Sequence, residues 1–189
     1  MDTGNLITNM IRAAKLDVAF FNEVEHDESK NQEALTVVII VGIISAIGAG
    51  LGQLLSNGVL AGLLGFIFGL LLVVAGYYIF AYLSHFIGTK FFGGTADVGE
   101  VLRTFGYAYS PQVLGIFAVI PCLGALAALI GGIWSLVAGV VALREAMDFD
   151  TGKAILTAVI AWVVMMVVFG ILAAILGVGG MGAAAVLGS

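Results

Sequence analysis

The side chains able to do chemistry gather in three short polar islands of an otherwise apolar chain. The densest is Arg144–Lys153, which holds Arg144, Glu145, Asp148, Asp150 and Lys153. Three carboxylates at that spacing can approach a cation, but the plainer reading is a helix cap, Asp148 or Asp150, with solvated neighbours. Thr151-Gly152-Lys153 echoes the end of a phosphate loop. Met147 stands where the first glycine is needed and Ala154 follows the lysine, so the backbone cradle is missing. His26 lies in the acidic patch Glu23–Glu28, with no second His or Cys nearby to complete a zinc set. His85 follows Tyr77, Tyr78 and Tyr82 and reads as a residue at headgroup level. Cys122, after Pro121 in an apolar run, reads as an inert small hydrophobe. The chain contains no HExxH, GxSxG or CxxC pattern and no paired acid within an apolar run. No catalytic residue, metal or cofactor is therefore expected, and the chain does not read as an enzyme.

The elements that must carry these islands are set by composition. Of 189 residues, 61% are hydrophobic and 10% charged, and mean hydropathy is +1.16. A soluble domain is about one quarter charged, so this surface suits lipid and not water. The net charge of −5 and a pI near 4.7 lack the basic footprint that nucleic acid requires. A bilayer core of ~30 Å takes about 20 helical residues. On that measure the uncharged runs predict an all-α bundle of five transmembrane helices, about 35–56, 59–88, 104–120, 123–143 and 154–176. Pro121 and Cys122 break the long run into its third and fourth members. The first apolar run follows an acidic stretch, so the first span is expected to direct its own insertion.

Before the spans, Ile7, Met10, Ile11, Ala14, Val18 and Phe21 recur at helical spacing. Residues 1–33 therefore read as an amphipathic helix on the membrane or against the bundle, and residues 178–189 as a Gly/Ala-rich tail. In the second island, Lys90–Arg103, Thr95 or Asp97 is expected to cap a helix with Glu100 in its first turn. Its apolar stripe is Val98, Val101, Leu102, Phe105 and Tyr109, with Arg103 off it. Pro111 is expected to kink this helix, with Ser110 and Gln112 satisfying the freed backbone. Two small-residue faces are expected to pack closely: Gly58, Gly62, Gly65 and Gly69, and Ala128, Gly131, Gly132, Ser135 and Gly139.

Charge gives an orientation. With the N-terminus cytoplasmic and five crossings, Arg12, Lys15, Lys30, Lys90, Arg103, Arg144 and Lys153 all fall inside and none outside. The acids fall on the same side, and the C-terminus lies outside. The expected place is the cell (inner) membrane, and a partner is expected to meet the chain from the cytoplasm.

The stretch Tyr107-Ala108-Tyr109-Ser110-Pro111, the run from Gly132 to Ala146 ending Leu143-Arg144-Glu145-Ala146, and Phe149-Asp150-Thr151-Gly152-Lys153-Ala154 carry a resemblance. Together with the acidic N-terminal region they resemble the Yip family of Ypt/Rab-interacting five-pass membrane proteins, in its prokaryotic branch. The resemblance spans roughly Leu35 to Leu176. It implies Tyr107, Tyr109, Pro111, Arg144, Glu145 and Asp150 as motif positions; Arg103 and Asp148 join them as expected members of one cytoplasmic surface. In eukaryotes the family is linked to Rab GTPases and to vesicle formation, so a Rab-type partner is implied by family analogy alone. The Asp-Leu-Tyr-Gly-Pro type of element that precedes the spans there has no clear counterpart in this chain. The expected function is a non-enzymatic scaffold or membrane organiser, alone or as a homo-oligomer or with other membrane proteins. The alternative is a small transporter or channel subunit, with Pro111, Pro121, Gln112, Ser135 and the tyrosines along a kinked-helix pathway.

Overall fold

A computed structural model describes residues 3–119 and 123–175. Among them the fold is all-α, with α1 Thr3–Ala14, α2 Val18–His26, α3 Asn31–Asn57, α4 Val59–Phe91, α5 Val98–Ala108, α6 Leu123–Ala146 and α7 Thr151–Ile175. Four of these segments are long and apolar enough to cross a membrane: Glu28–Asn57, Val59–Phe91, Leu126–Ala146 and Thr151–Ile171. The stretch expected as a single third span is instead two pieces. Helix α5 stops at Ala108, and a 3-10 segment, Ser110–Val119, continues from it. The cause is local. Pro111 lacks the N–H that would bond the Tyr107 carbonyl in a continuing helix. The Ser110 hydroxyl donates to that carbonyl instead at 2.6 Å, and the Ser135 hydroxyl donates to the Ala108 carbonyl at 2.6 Å. Gln112 turns its backbone N–H to Tyr109 and sends its side-chain amide to Ser135. The expected break at Pro121 and Cys122, and the C-terminal tail, lie outside the described residues.

Long helices run up and down against one another. Helices α3 and α4 form a hairpin about Gly58, whose φ of +89° favours a residue without a Cβ. They approach closely where Gly50 faces the Gly62 carbonyl and Phe66. The α5–3-10 leg runs antiparallel to α6, with Gly139 against Phe105 and Gly131 against the Pro111 carbonyl. In lipid, burying apolar area brings no gain over leaving it in the acyl chains, so close small-residue contacts hold such helices together. Gly132, expected on the same packing face, has open space around it.

Residues 1–33 do not form one helix. The amide of Asp17 bonds the Arg12 carbonyl and that of Leu16 bonds the Ala13 carbonyl, the paired pattern of a Schellman stop. Leu16 sits at φ +60°, where glycine is usual. The Asp17 carboxylate then caps α2 by accepting from the Phe20 amide at 3.1 Å. The break re-aims the apolar stripe. Leu6, Ala13, Phe20, Phe21 and Val24 are buried against Ala34, Val37, Tyr107, Ala138 and Ala142, while Ile7, Ile11 and Val18 are exposed. Phe20, Phe21 and Val24 are each worth about 1.5–3 kcal/mol if buried out of water. That fastens the pair to the bundle.

Candidate functional site at the polar end of the bundle

Arg103 is the centre of this end. It is off the apolar stripe, as its spacing predicts, yet only 4% exposed. Its guanidinium donates to the Glu25 carbonyl at 2.5 Å, to the Val24 carbonyl at 3.3 Å and to Asn31 Oδ1 at 3.4 Å. Those two carbonyls lie in the last turn of α2; the Val24 carbonyl also accepts from the Asp27 amide, while no backbone amide among the described residues reaches the Glu25 carbonyl. A cation there also meets the negative end of the helix dipole. Arg103 therefore ties the N-terminal pair, α3 and α5 together. A buried arginine is tolerated here because each of its three guanidinium nitrogens donates a hydrogen bond.

Around it the second and third islands interlock. Asp97 and Glu100 form a capping box at the start of α5: the Asp97 carboxylate accepts from the Glu100 amide and the Glu100 carboxylate from the Asp97 amide, each at 2.8 Å. The Thr95 hydroxyl donates to Asp148 Oδ2 at 2.7 Å. Asp148 sits at φ +53°, in a second Schellman stop that ends α6, with the Phe149 amide on the Arg144 carbonyl and the Asp148 amide on Glu145. Asp150, not Asp148, caps α7, accepting from the Lys153 amide at 3.0 Å. Between the two caps, Met147 and Phe149 turn inward and fill the space left by Gly88 and Gly94. The island thus carries an apolar plug inside its charged rim. Lys153 lies over the Phe149 ring, 5.9 Å from its centroid. Arg144 pairs with its neighbour Glu145 at 2.6 Å, both partly exposed.

Glu25 is an unusual ionisable group at this end. It is 5% exposed. Its Oε1 accepts from Asn22 and meets His26 Nδ1 at 3.2 Å, while Oε2 is buried with no partner. Burial pushes its carboxyl up to about 7; His26 opposes this, and Asp148, Glu145 and Glu100 reinforce it. Among the described residues no group of His, Cys, Asp and Glu is arranged to hold a metal ion.

The Yip1 domain matches residues 17–172. The chain belongs to the Yip1 domain family. It is a multi-pass helical membrane protein, as the family and the apolar helices together require. No curated protein and no solved structure gives a significant match.

In this Yip1-domain chain the motif positions fall into two sets. Tyr107 is fully buried, Pro111 is buried, and Tyr109 is mostly enclosed, its ring edge-on to Tyr77 and Phe105. Together with Arg103 they are internal. Arg144, Glu145, Asp148 and Asp150 form the accessible rim. Two further residues went unnoticed in the sequence. Gly106 lets α5 lie on Ala34 of α3 at backbone distance. Trp134 donates from Nε1 to the Ala14 carbonyl at 2.7 Å. Trp134 is twelve residues before the end of α6, so the joint between α1 and α2 lies about 18 Å down the bundle from the hinge. There Arg12 bridges Asp17 and Glu23, each at 2.9 Å, and holds the Asp17 carboxyl below its usual range by hydrogen bonding. On the antiparallel neighbour, Trp162 is eleven residues after the start of α7, which places both tryptophans at about the same level.

Proposed function

We propose that this Yip1-domain protein is a non-enzymatic membrane organiser whose working surface is the polar end, facing the cytoplasm of the cell membrane. On this reading the chain crosses five times, the α5–3-10 leg supplying the third crossing, with the C-terminus outside. The observation that carries it is the contrast between the two parts of the surface. The rim Arg144, Glu145, Asp148 and Asp150 is accessible and rigidly seated by the Thr95–Asp148 bond and the Met147–Phe149 plug. Most of the exposed large side chains elsewhere are Leu, Ile and Val, suited to acyl chains. Partners on this reading are the bilayer and another membrane protein or a second copy. A Rab-type GTPase enters only through the family's link in eukaryotes.

Photo-reactive residues at Asp148 and Asp150, activated in cells, test it. Discrete adducts with another protein or a second copy, weakened by Arg144→Ala, are the expected result. Adducts no stronger than those from Ser56 on the far hairpin turn would refute it. Solute-specific uptake by liposomes holding the purified protein would overturn it in favour of transport.

A further inference from the structure

A cavity of about 310 Å³ lies where α4, α5, α6 and α7 meet, bounded in part by Phe105, Tyr109, Gln112, Ser135, Trp162 and Met165. Its volume is at the low end of ligand pockets, roughly 300–1,000 Å³, enough for a single chain segment and too small for a whole two-chain lipid. The wall is apolar except for three groups that converge. Gln112 Nε2 donates to Ser135 Oγ at 2.9 Å, and Ser135 donates onward to the Ala108 carbonyl. Among the described residues no further hydrogen bond involves the Gln112 side chain, and none involves the Tyr109 hydroxyl, whose ring is held by Tyr77 and Phe105. A phenol hydroxyl left unpaired away from water is unfavourable. Water suits so apolar a wall poorly. An occupant that is apolar along its length and brings one oxygen acceptor satisfies both demands. Trp162 forms part of the wall, and Trp134 shares its level. Tryptophan is enriched at the membrane–water interface, where lipid ester carbonyls are also found.

We propose that this cavity binds one acyl chain of a membrane lipid, with the chain's ester carbonyl accepting from the Tyr109 hydroxyl or the Gln112 amide. The proposal rests on the membrane setting and is independent of the organising role above. Gly132 offers the means to test it. It borders the cavity, and a Cβ built there meets nothing within 4 Å, so a larger side chain can start there without a clash at its first carbon.

Purified protein in phosphatidylcholine nanodiscs would carry a trace of phosphatidylcholine bearing a diazirine in its acyl chain. After irradiation, adducts are mapped by mass spectrometry. They should concentrate on residues 132–140 and 155–165. Gly132→Leu should reduce them about tenfold, and Tyr109→Phe roughly fivefold through the lost hydrogen bond. Gly170→Leu, which also meets open space, should label as wild type. Each variant must elute and melt as wild type; where Gly132→Leu does not, Ala158→Leu fills the same cavity. Labelling spread evenly over α3 and α4, or unchanged by the filling variant, overturns the proposal. So does labelling by a diazirine free fatty acid with none by the phospholipid.

Discussion

Replacing Arg103 by methionine keeps most of the side-chain volume and removes all three donor contacts. The Glu25 carbonyl, now enclosed without a partner, costs about 1–3 kcal/mol, while the Val24 carbonyl keeps the Asp27 amide. Loss of the cation at the end of α2 adds about 0.3–2 kcal/mol. A loss of ~2–4 kcal/mol for seating the N-terminal pair follows, roughly thirtyfold to a thousandfold in its opening constant. Among the described residues the guanidinium's hydrogen bonds reach the long helices only at Asn31, at the head of α3. The effect should therefore be local. Hydrogen exchange in nanodiscs, read by mass spectrometry, should show residues 18–26 exchanging about thirtyfold or more faster, with α4 and α7 unchanged. Arg103→Lys should recover part of the protection, because one ammonium reaches fewer carbonyls than a fork. Exchange of residues 18–26 within about threefold of wild type would refute the reasoning. An equal rise throughout α4 and α7 would do so as well.

Other expectations follow from the same contacts. The Glu25 carboxyl is raised to about 7 from 4.5, so the folded state binds the extra proton between those values. Seating of α2 should be strongest near pH 4.5 and weaken by up to ~3 kcal/mol as pH rises through 7. His26, raised by its hydrogen bond to Asn22 and by Glu25, contributes in the same direction, and Glu25→Gln should remove most of the slope in exchange rate against pH. Gly106→Ala drives a Cβ onto the Ala34 backbone and should cost about 1–3 kcal/mol, whereas Gly76→Ala, in open space on α4, should be neutral or stabilise by ~0.5–1 kcal/mol; thermal unfolding in detergent compares the two. Asp97→Ala breaks the capping box and should destabilise α5 by about 1 kcal/mol, seen as faster exchange confined to its first turn.

What the sequence made legible was whatever depends on solvent and on local chemistry. Length and apolarity of the runs gave the helical membrane bundle, because an uninterrupted apolar run of about 20 residues satisfies its backbone in lipid as a helix, whereas barrel strands are short and alternate. The Asp97–Glu100 cap was readable because both partners lie within one turn, and the α7 cap could be narrowed to Asp148 or Asp150. The third leg was misjudged in form because a run of apolar residues does not say whether it stays α-helical. Pro111 signals a defect, but its repair by Ser135 comes from a helix not yet formed at that point in the chain. Arg103 was read as a residue off a stripe and expected on the cytoplasmic surface; that it is buried instead depends on α2, nearly eighty residues earlier. Leu16 in a left-handed position had no residue-type signal, since glycine is the usual marker. The Met147–Phe149 plug was hidden inside a stretch whose charge drew attention outward, and the space it fills comes from Gly88 and Gly94 on the other side of the end.

Membrane-impermeant labelling of single cysteines, in a Cys122→Ser background and in intact cells, tests most directly whether the charged islands share one face. Positions Ser29, Lys90 and Gly152 sample the three islands, and Ser56 the far turn; all four are exposed. Protection of the three and labelling of Ser56 from outside is the predicted result. Labelling of any one of the three from outside, with the other two protected, would contradict it.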